Sequence, residues 1–211
     1  MSESETPLDP VSDPVLIDVP VPITTPRLIL RPPQKGDGKT LHTAKLASLP
    51  ALQKWMIWAK YMDTQADHTE DEIMCRKKAA EFMLRQDLMM FAFSRDNPQH
   101  FIGATGLHRF NWETRQFEIG YWVRSDKTGK GYATEICTAL CHYAFEALDA
   151  SRVEIFHADG NDASARVIEK VGFEKEGILR QCDELPSGEI VDKHAYGMLS
   201  PENIPALDVT W

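Results

Sequence analysis

Apolar positions along the chain recur with two periods, and the switches between them mark out the elements. Leu28-Ile29-Leu30-Arg31 is a short strand, entered past Pro26 and closed by Pro32-Pro33. A helical spacing follows over residues 39–47, and an aromatic and Met-rich segment over 49–62. Residues 71–86 read as a helix: Ile73, Ala80, Phe82, Met83 and Leu84 supply apolar positions, and acidic residues crowd the first turn, where the helix dipole favours them. The period then becomes two. Residues 88–94 and 100–110 flank a turn at Asp96-Asn97-Pro98. Over 115–124, Phe117, Ile119, Tyr121 and Val123 alternate with Glu118, Gly120, Trp122 and Arg124. A helix over 131–148 follows, then a strand over 152–157 and a helix over 161–171 with Asn161 as its N-cap. Residues 173–181 and 189–199 form a closing hairpin around Pro186-Ser187-Gly188. This order predicts an α/β (α+β) fold, a mixed and mostly antiparallel central sheet with helices on both faces.

Composition narrows the class. A chain of 211 residues is long enough for one well-buried domain. No apolar run approaches the roughly 20 residues that a membrane helix needs, and the N-terminus lacks the basic and apolar regions of a secretory signal. The net charge of -9 argues against nucleic-acid binding and suits a cationic partner. The first 26 residues hold no Lys or Arg and are rich in Pro, Asp, Glu and Ser. Residues 1–23 are therefore expected to be a mobile arm, with Val15-Leu16-Ile17 as its docking point. Cys137 and Cys141 lie one helical turn apart, but they share a stripe with Ile136, Leu140, Ala144 and Leu148. That stripe makes them core residues rather than metal ligands. With no disulfide framework and no metal expected, a cytoplasmic setting follows.

The chemistry concentrates in Arg124-Ser-Asp-Lys-Thr-Gly-Lys-Gly-Tyr-Ala-Thr-Glu135. This run leaves a strand and opens a helix, and its glycines let the backbone turn with amides exposed. Orphan amides and the helix dipole together make an anion site, and Lys127, Lys130 and Arg124 would make it locally positive in an acidic protein. The residues alone also allow an ordinary strand-to-helix turn with solvated lysines. A second glycine-rich run, Gly36-Asp37-Gly38-Lys39-Thr40, ends like a nucleotide-binding loop. Pro33 stands where that loop needs its first glycine, which excludes the reading.

Three ordered blocks resolve the ambiguity. Glu118-Ile-Gly-Tyr-Trp-Val, Thr128-Gly-Lys-Gly-Tyr-Ala-Thr-Glu and Asn161-Asp-Ala-Ser-Ala-Arg-Val-Ile-Glu-Lys-Val-Gly-Phe173 resemble the GNAT superfamily of N-acetyltransferases. The opening Thr25-Pro-Arg-Leu-Ile-Leu-Arg31 resembles its ribosomal-protein N-terminal branch, RimJ and RimL. The resemblance covers residues 24–200 as a single domain and leaves 201–211 as a tail. It implies that the anion is the pyrophosphate of acetyl-CoA, held by backbone amides of Gly129, Lys130, Gly131, Tyr132 and Ala133. Thr128 stands where the family prefers Gln or Arg. Pantetheine would run between splayed strands at Tyr121, Trp122, Val123, Arg124 and residues 154–157. Asn161, Ser164 and Arg166 would contact the cofactor, with Lys170 on the same helix.

Amide formation from a thioester needs a neutral amine, a donor for the oxyanion and a proton for the leaving thiolate. The resemblance offers two bases: Glu118 on the strand before the turn, and Asp183, with Glu184 beside it, where RimL-type enzymes carry a Glu. Ser164 matches the RimL-type serine near the thioester sulfur, and because Ile168 replaces the Tyr that many relatives use as the acid, Ser164 or water would serve in its place. Trp55 and Trp58 would border the acceptor pocket. The implied acceptor is a primary amine, either a protein N-terminus or a small molecule such as a polyamine, an aminoglycoside or an amino acid. A CoA-binding sensor with little activity is the remaining alternative. A monomer or homodimer is expected, with no membrane partner.

Overall fold

The computed structural model describes residues 13–62 and 64–211. Its strands are β1 (Ile23–Thr24), β2 (Leu28–Arg31), β3 (Leu88–Ser94), β4 (Phe101–Asn111), β5 (Gln116–Val123), β6 (Arg152–Ala158), β7 (Glu174–Glu184) and β8 (Ile190–Met198). They form one open sheet in the order β1-β2-β3-β4-β5-β6-β8-β7. Every neighbouring pair is antiparallel except β5 and β6, whose parallel pairing requires a crossover. That crossover is helix α3 (Tyr132–Ala147). The other helices are α1 (Gly38–Trp55), α2 (Thr69–Met83) and α4 (Asp162–Val171).

Alternation along the strands feeds a separate core on each face of the sheet. Leu88, Met90, Leu107, Phe117, Ile119 and Ile155 pack with Ile136, Cys137, Leu140 and Cys141 of α3 and Ile168 of α4. Phe91, Phe93, Phe101, Ala104 and Trp122 point the other way, onto Leu41, Ala44 and Leu52 of α1 and Cys75 of α2. Each face is thus covered by a helix pair, which explains near-continuous apolar runs such as 88–93. Among the described residues no helix is long and apolar enough to cross a membrane.

Three details go beyond the expected outline. Helix α1 runs well past residue 47 and carries Pro50 inside it. Its second half buries Leu52 against the sheet and Ser48 where its hydroxyl accepts from the Ser125 amide at 3.1 Å, and that packing outweighs a Pro cost of about 3 kcal/mol. Of the three expected docking residues of the arm, Ile17 packs against the core, and Val19 and Ile23 extend the contact. Leu16 is 72% exposed, whereas Val19 and Ile23 are buried and Arg85 Nε donates to the Ile17 carbonyl at 3.0 Å. Residues 1–12 lie outside the described residues. The C-terminal tail also returns to the domain: Thr210 bridges Thr24, and the Trp211 ring meets Tyr143 edge-on at 5.5 Å.

Candidate active site

Among the described residues, the glycine turn leaves a run of backbone amides unpaired. Gly129 and Gly131 have φ of 72° and 80°, the left-handed region that glycine enters without a Cβ penalty. Gly131 is the N-cap of α3, and among the described residues the only atom that a Cβ there would meet within 4 Å is an Arg27 side-chain nitrogen at 3.5 Å. Among the described residues, the amides of residues 129–134 donate to no protein acceptor. Six consecutive orphan amides at the positive end of a long helix attract an anion with several oxygens.

Sequence reasoning missed what fixes this turn. Glu135, buried in the first turn of α3, accepts from the Thr25 hydroxyl at 2.6 Å, the Arg27 amide at 3.1 Å and Arg27 Nε at 2.5 Å. Arg27 also donates to the Lys130 carbonyl at 2.9 Å and lies over the Tyr132 ring. The β1–β2 corner therefore grips the turn from outside. The signal was present as Thr25-x-Arg27 and Glu135, but nothing in their spacing shows that they meet.

Beside the cradle the sheet opens. Parallel pairing of β5 with β6 ends at Ile119 and Ile155, although β5 continues to Val123 and β6 to Ala158. Glu154 and Ile155 are still paired, so the wedge opens later than expected. A groove of about 380 Å³ leads along it, lined by Trp55, Tyr121, Trp122, Val123, Thr128, Gly129, Gly131, Tyr132, Ala133, Asn161, Ser164, Arg166 and Lys170. Asn161 caps α4 by accepting from the Ser164 amide at 3.2 Å. The Thr128 hydroxyl donates to the Ser125 carbonyl at 2.8 Å. Arg124 and Lys130 do not line the groove: the Arg124 guanidinium pairs with Asp126 at 3.0 Å, and Lys130 Nζ reaches the Asp126 carbonyl at 3.1 Å. An elongated cavity ending in free amides, with Lys127, Arg166 and Lys170 at hand, fits a long phosphate-bearing cofactor such as acetyl-CoA.

A larger cleft of about 1000 Å³ lies on the α1–α2 face of the sheet. Its walls carry Trp58, Tyr61, Met62, Met74 and Met89 together with Asp67, Glu70, Asp87, His108 and Glu118. Groove and cleft share Met56, Tyr121 and Trp122. At that junction the Tyr121 hydroxyl lies 3.0 Å from Ser164 Oγ. Burial pushes the Tyr121 phenol well above its usual range, so it stays protonated and able to donate.

The two tryptophans separate. Trp58 lines the cleft and stands 6.3 Å from Trp122, whereas Trp55 lines the groove. The two carboxylates separate as well. Glu118 lines the cleft, only 14% exposed, and its carboxylate is held by Arg109. Asp183 belongs to β7 rather than to a loop; it faces Lys193 at 3.5 Å and lies outside the cleft walls. Its neighbour Glu184 pairs with Lys60 at 3.0 Å. Sequence reasoning passed over His108, which sits across from Glu118 on β4, inside the cleft.

Residues 27–174 match the acetyltransferase (GNAT) domain. The chain is 32% identical over 111 residues to the uncharacterized N-acetyltransferase YoaA of Bacillus subtilis (strain 168), covering 53% of this chain and 62% of that one. It is 44% identical over 78 residues to the putative ribosomal N-acetyltransferase YdaF of the same strain, covering 37% of this chain and 43% of that one. Each match thus spans less than two thirds of the relative. The fold superposes with a TM-score of 0.70 on Mycobacterium smegmatis RimJ in complex with CoA-disulfide, at 25% identity, covering 90% of this chain and 91% of that one.

Proposed function

The chain belongs to the GNAT acetyltransferase family, and on that premise we propose that it transfers acetyl from acetyl-CoA directly to a primary amine, with a protein N-terminus as the favoured acceptor. The observation that carries this reading is the shared wall of groove and cleft at Tyr121 and Trp122. Two substrates entering from opposite faces of the sheet would meet there without a covalent enzyme intermediate.

Acetyl-CoA supplies the activated acyl group. The amides of Gly129, Lys130, Gly131, Tyr132 and Ala133 would hold its pyrophosphate, with Arg166 and Lys170 adding charge from α4. Asn161 and Ser164 would contact the cofactor's arm. The Ser164 hydroxyl, 3.0 Å from Tyr121 Oη, can donate a hydrogen bond to the departing sulfur at the junction. Asp67, Glu70 and Glu118 make the cleft attractive to a cationic amine. An α-amino group is about one-tenth neutral at pH 7, whereas a lysine is neutral well below ~0.1% of the time. A modest base therefore suffices for an N-terminus. YdaF, by its name a putative ribosomal N-acetyltransferase, supports a ribosomal acceptor.

The test is incubation with acetyl-CoA and a mixed library of N-terminal peptides, polyamines and aminoglycosides, with thiol release and product mass spectrometry as readouts. Acetylated peptide α-amines are expected. Tight CoA binding with no thiol release toward any amine would refute transferase activity, and products confined to small amines would redirect the acceptor class.

A further inference from the structure

The cleft holds a histidine whose surroundings are shaped around its ring. His108 Nδ1 lies 3.1 Å from both carboxylate oxygens of Asp87, and Lys78 stands behind that carboxylate at 3.5 Å. A carboxylate at Nδ1 selects the tautomer that carries its proton there, which leaves the Nε2 lone pair free. The ring lies across Gly106 and Gly120, which face each other on β4 and β5. A Cβ on Gly106 would come within 2.7 Å of both His108 Cε1 and the Leu88 carbonyl oxygen and 2.9 Å of Nε2, and one on Gly120 within 2.9 Å of Cδ2 and 3.3 Å of Nε2. Two missing side chains thus make the bed for the imidazole, and Gly120 immediately precedes Tyr121 at the junction of groove and cleft. Glu118, the cross-strand partner of His108, has its carboxylate committed to Arg109.

The geometry points to His108 as the general base of the reaction, positioned by Asp87, with Glu118 serving the cleft's electrostatics instead. This rests on the acetyl-transfer reading above. His108 Nε2 takes one proton from the acceptor ammonium and passes it to solvent through the cleft mouth. The neutral nitrogen attacks the thioester carbonyl, the C–S bond breaks, and a second proton from that nitrogen ends on the departing sulfur. One amide, one thiol and one released proton balance the ammonium and thioester consumed. Groups facing the imidazole are Asp87 and, behind it, Lys78 of α2; Glu118 with Arg109 along the strands; and, around the cleft, Asp67, Glu70 and the His42–Asp71–Lys45 cluster from α1 and α2.

The experiment compares His108→Ala, Asp87→Asn and Glu118→Gln. CoA affinity within about twofold of wild type certifies the fold of each. The expected result for His108→Ala is a loss of about 10²-fold in kcat, the usual contribution of a positioned base, together with loss of the acidic limb of the wild-type rate profile. Added imidazole, which fits the space left over Gly106 and Gly120, should restore part of the rate. Glu118→Gln should raise KM for the amine and keep that limb. Independently of turnover, ¹⁵N chemical shifts should show the Nδ1–H tautomer of His108 in wild type and its loss in Asp87→Asn. A His108→Ala enzyme with the wild-type pH profile, or an Nε2–H tautomer in wild type, overturns the proposal. If wild type acetylates no amine at all, the acetyl-transfer reading fails instead, and the tautomer still decides whether the dyad exists.

Discussion

Gly131 shows how one residue can carry backbone geometry and binding together. Its φ of 80° is a left-handed conformation, and the space around its Cα is open apart from Arg27. Gly131→Ala therefore meets a backbone cost of about 1–2 kcal/mol rather than a clash. Urea unfolding should show a loss of that size, and calorimetry a weaker affinity for CoA. The two tryptophans give a paired prediction, because the structure sets them on different cavities. Trp58→Ala should raise KM for the amine and spare CoA affinity, whereas Trp55→Ala should do the reverse. Asp87 gives a prediction in pH. Burial pushes its carboxyl up, but the hydrogen bond and charge of His108, with Lys78, outweigh that and hold it below its ordinary value. A depressed carboxylate stabilises the fold above its unfolded value near 3.9 and loses that contribution as pH falls through the folded one. Asp87→Asn should flatten the stability curve below about pH 4, as thermal melts across acid pH would show.

At the scale of elements, hydrogen bonds stitch the β1–β2 corner to the glycine turn and the first turn of α3. Glu135 accepts three hydrogen bonds, from Thr25 and Arg27, and Arg27 passes the constraint to the Lys130 carbonyl. Glu135→Ala leaves the buried Thr25 hydroxyl without its acceptor and should cost about 1–3 kcal/mol. CoA affinity should fall with it, since the amides lose their alignment. The decoy at Gly36-Asp37-Gly38 shows the opposite case. There the amides of Gly36 and Gly38 are already taken by the Glu72 carboxylate, at 2.9 and 3.2 Å, which fills an anion nest from within the protein. Both runs look alike as glycine-rich turns before helices. Only the partner brought by another element separates a plugged nest from an open one.

Across the whole molecule, the parallel step between β5 and β6 is the one break in an otherwise antiparallel sheet, and the groove lies along it. Strand and helix identity was legible because each depends on local period: β2 and β3 match their expected spans, and α4 begins at the cap that Asn161 supplies. The length of α1 was not legible, because Pro50 is a local stop signal that only packing against the sheet overrides. Of the site, the glycine turn, Asn161 and Ser164 could be read, since cradles and caps are written in contiguous residues. The chain by itself also determined the alternation that sends Trp122 to one face and Ile119 to the other. Tertiary structure decided what meets across distance: Glu135 with Thr25, Tyr121 with Ser164, His108 with Asp87, and Asp183 with Lys193 instead of the cleft. Contiguous residues fix periodicity and turn geometry, whereas strand order and register bring distant side chains within hydrogen-bonding reach, and register has no local signature.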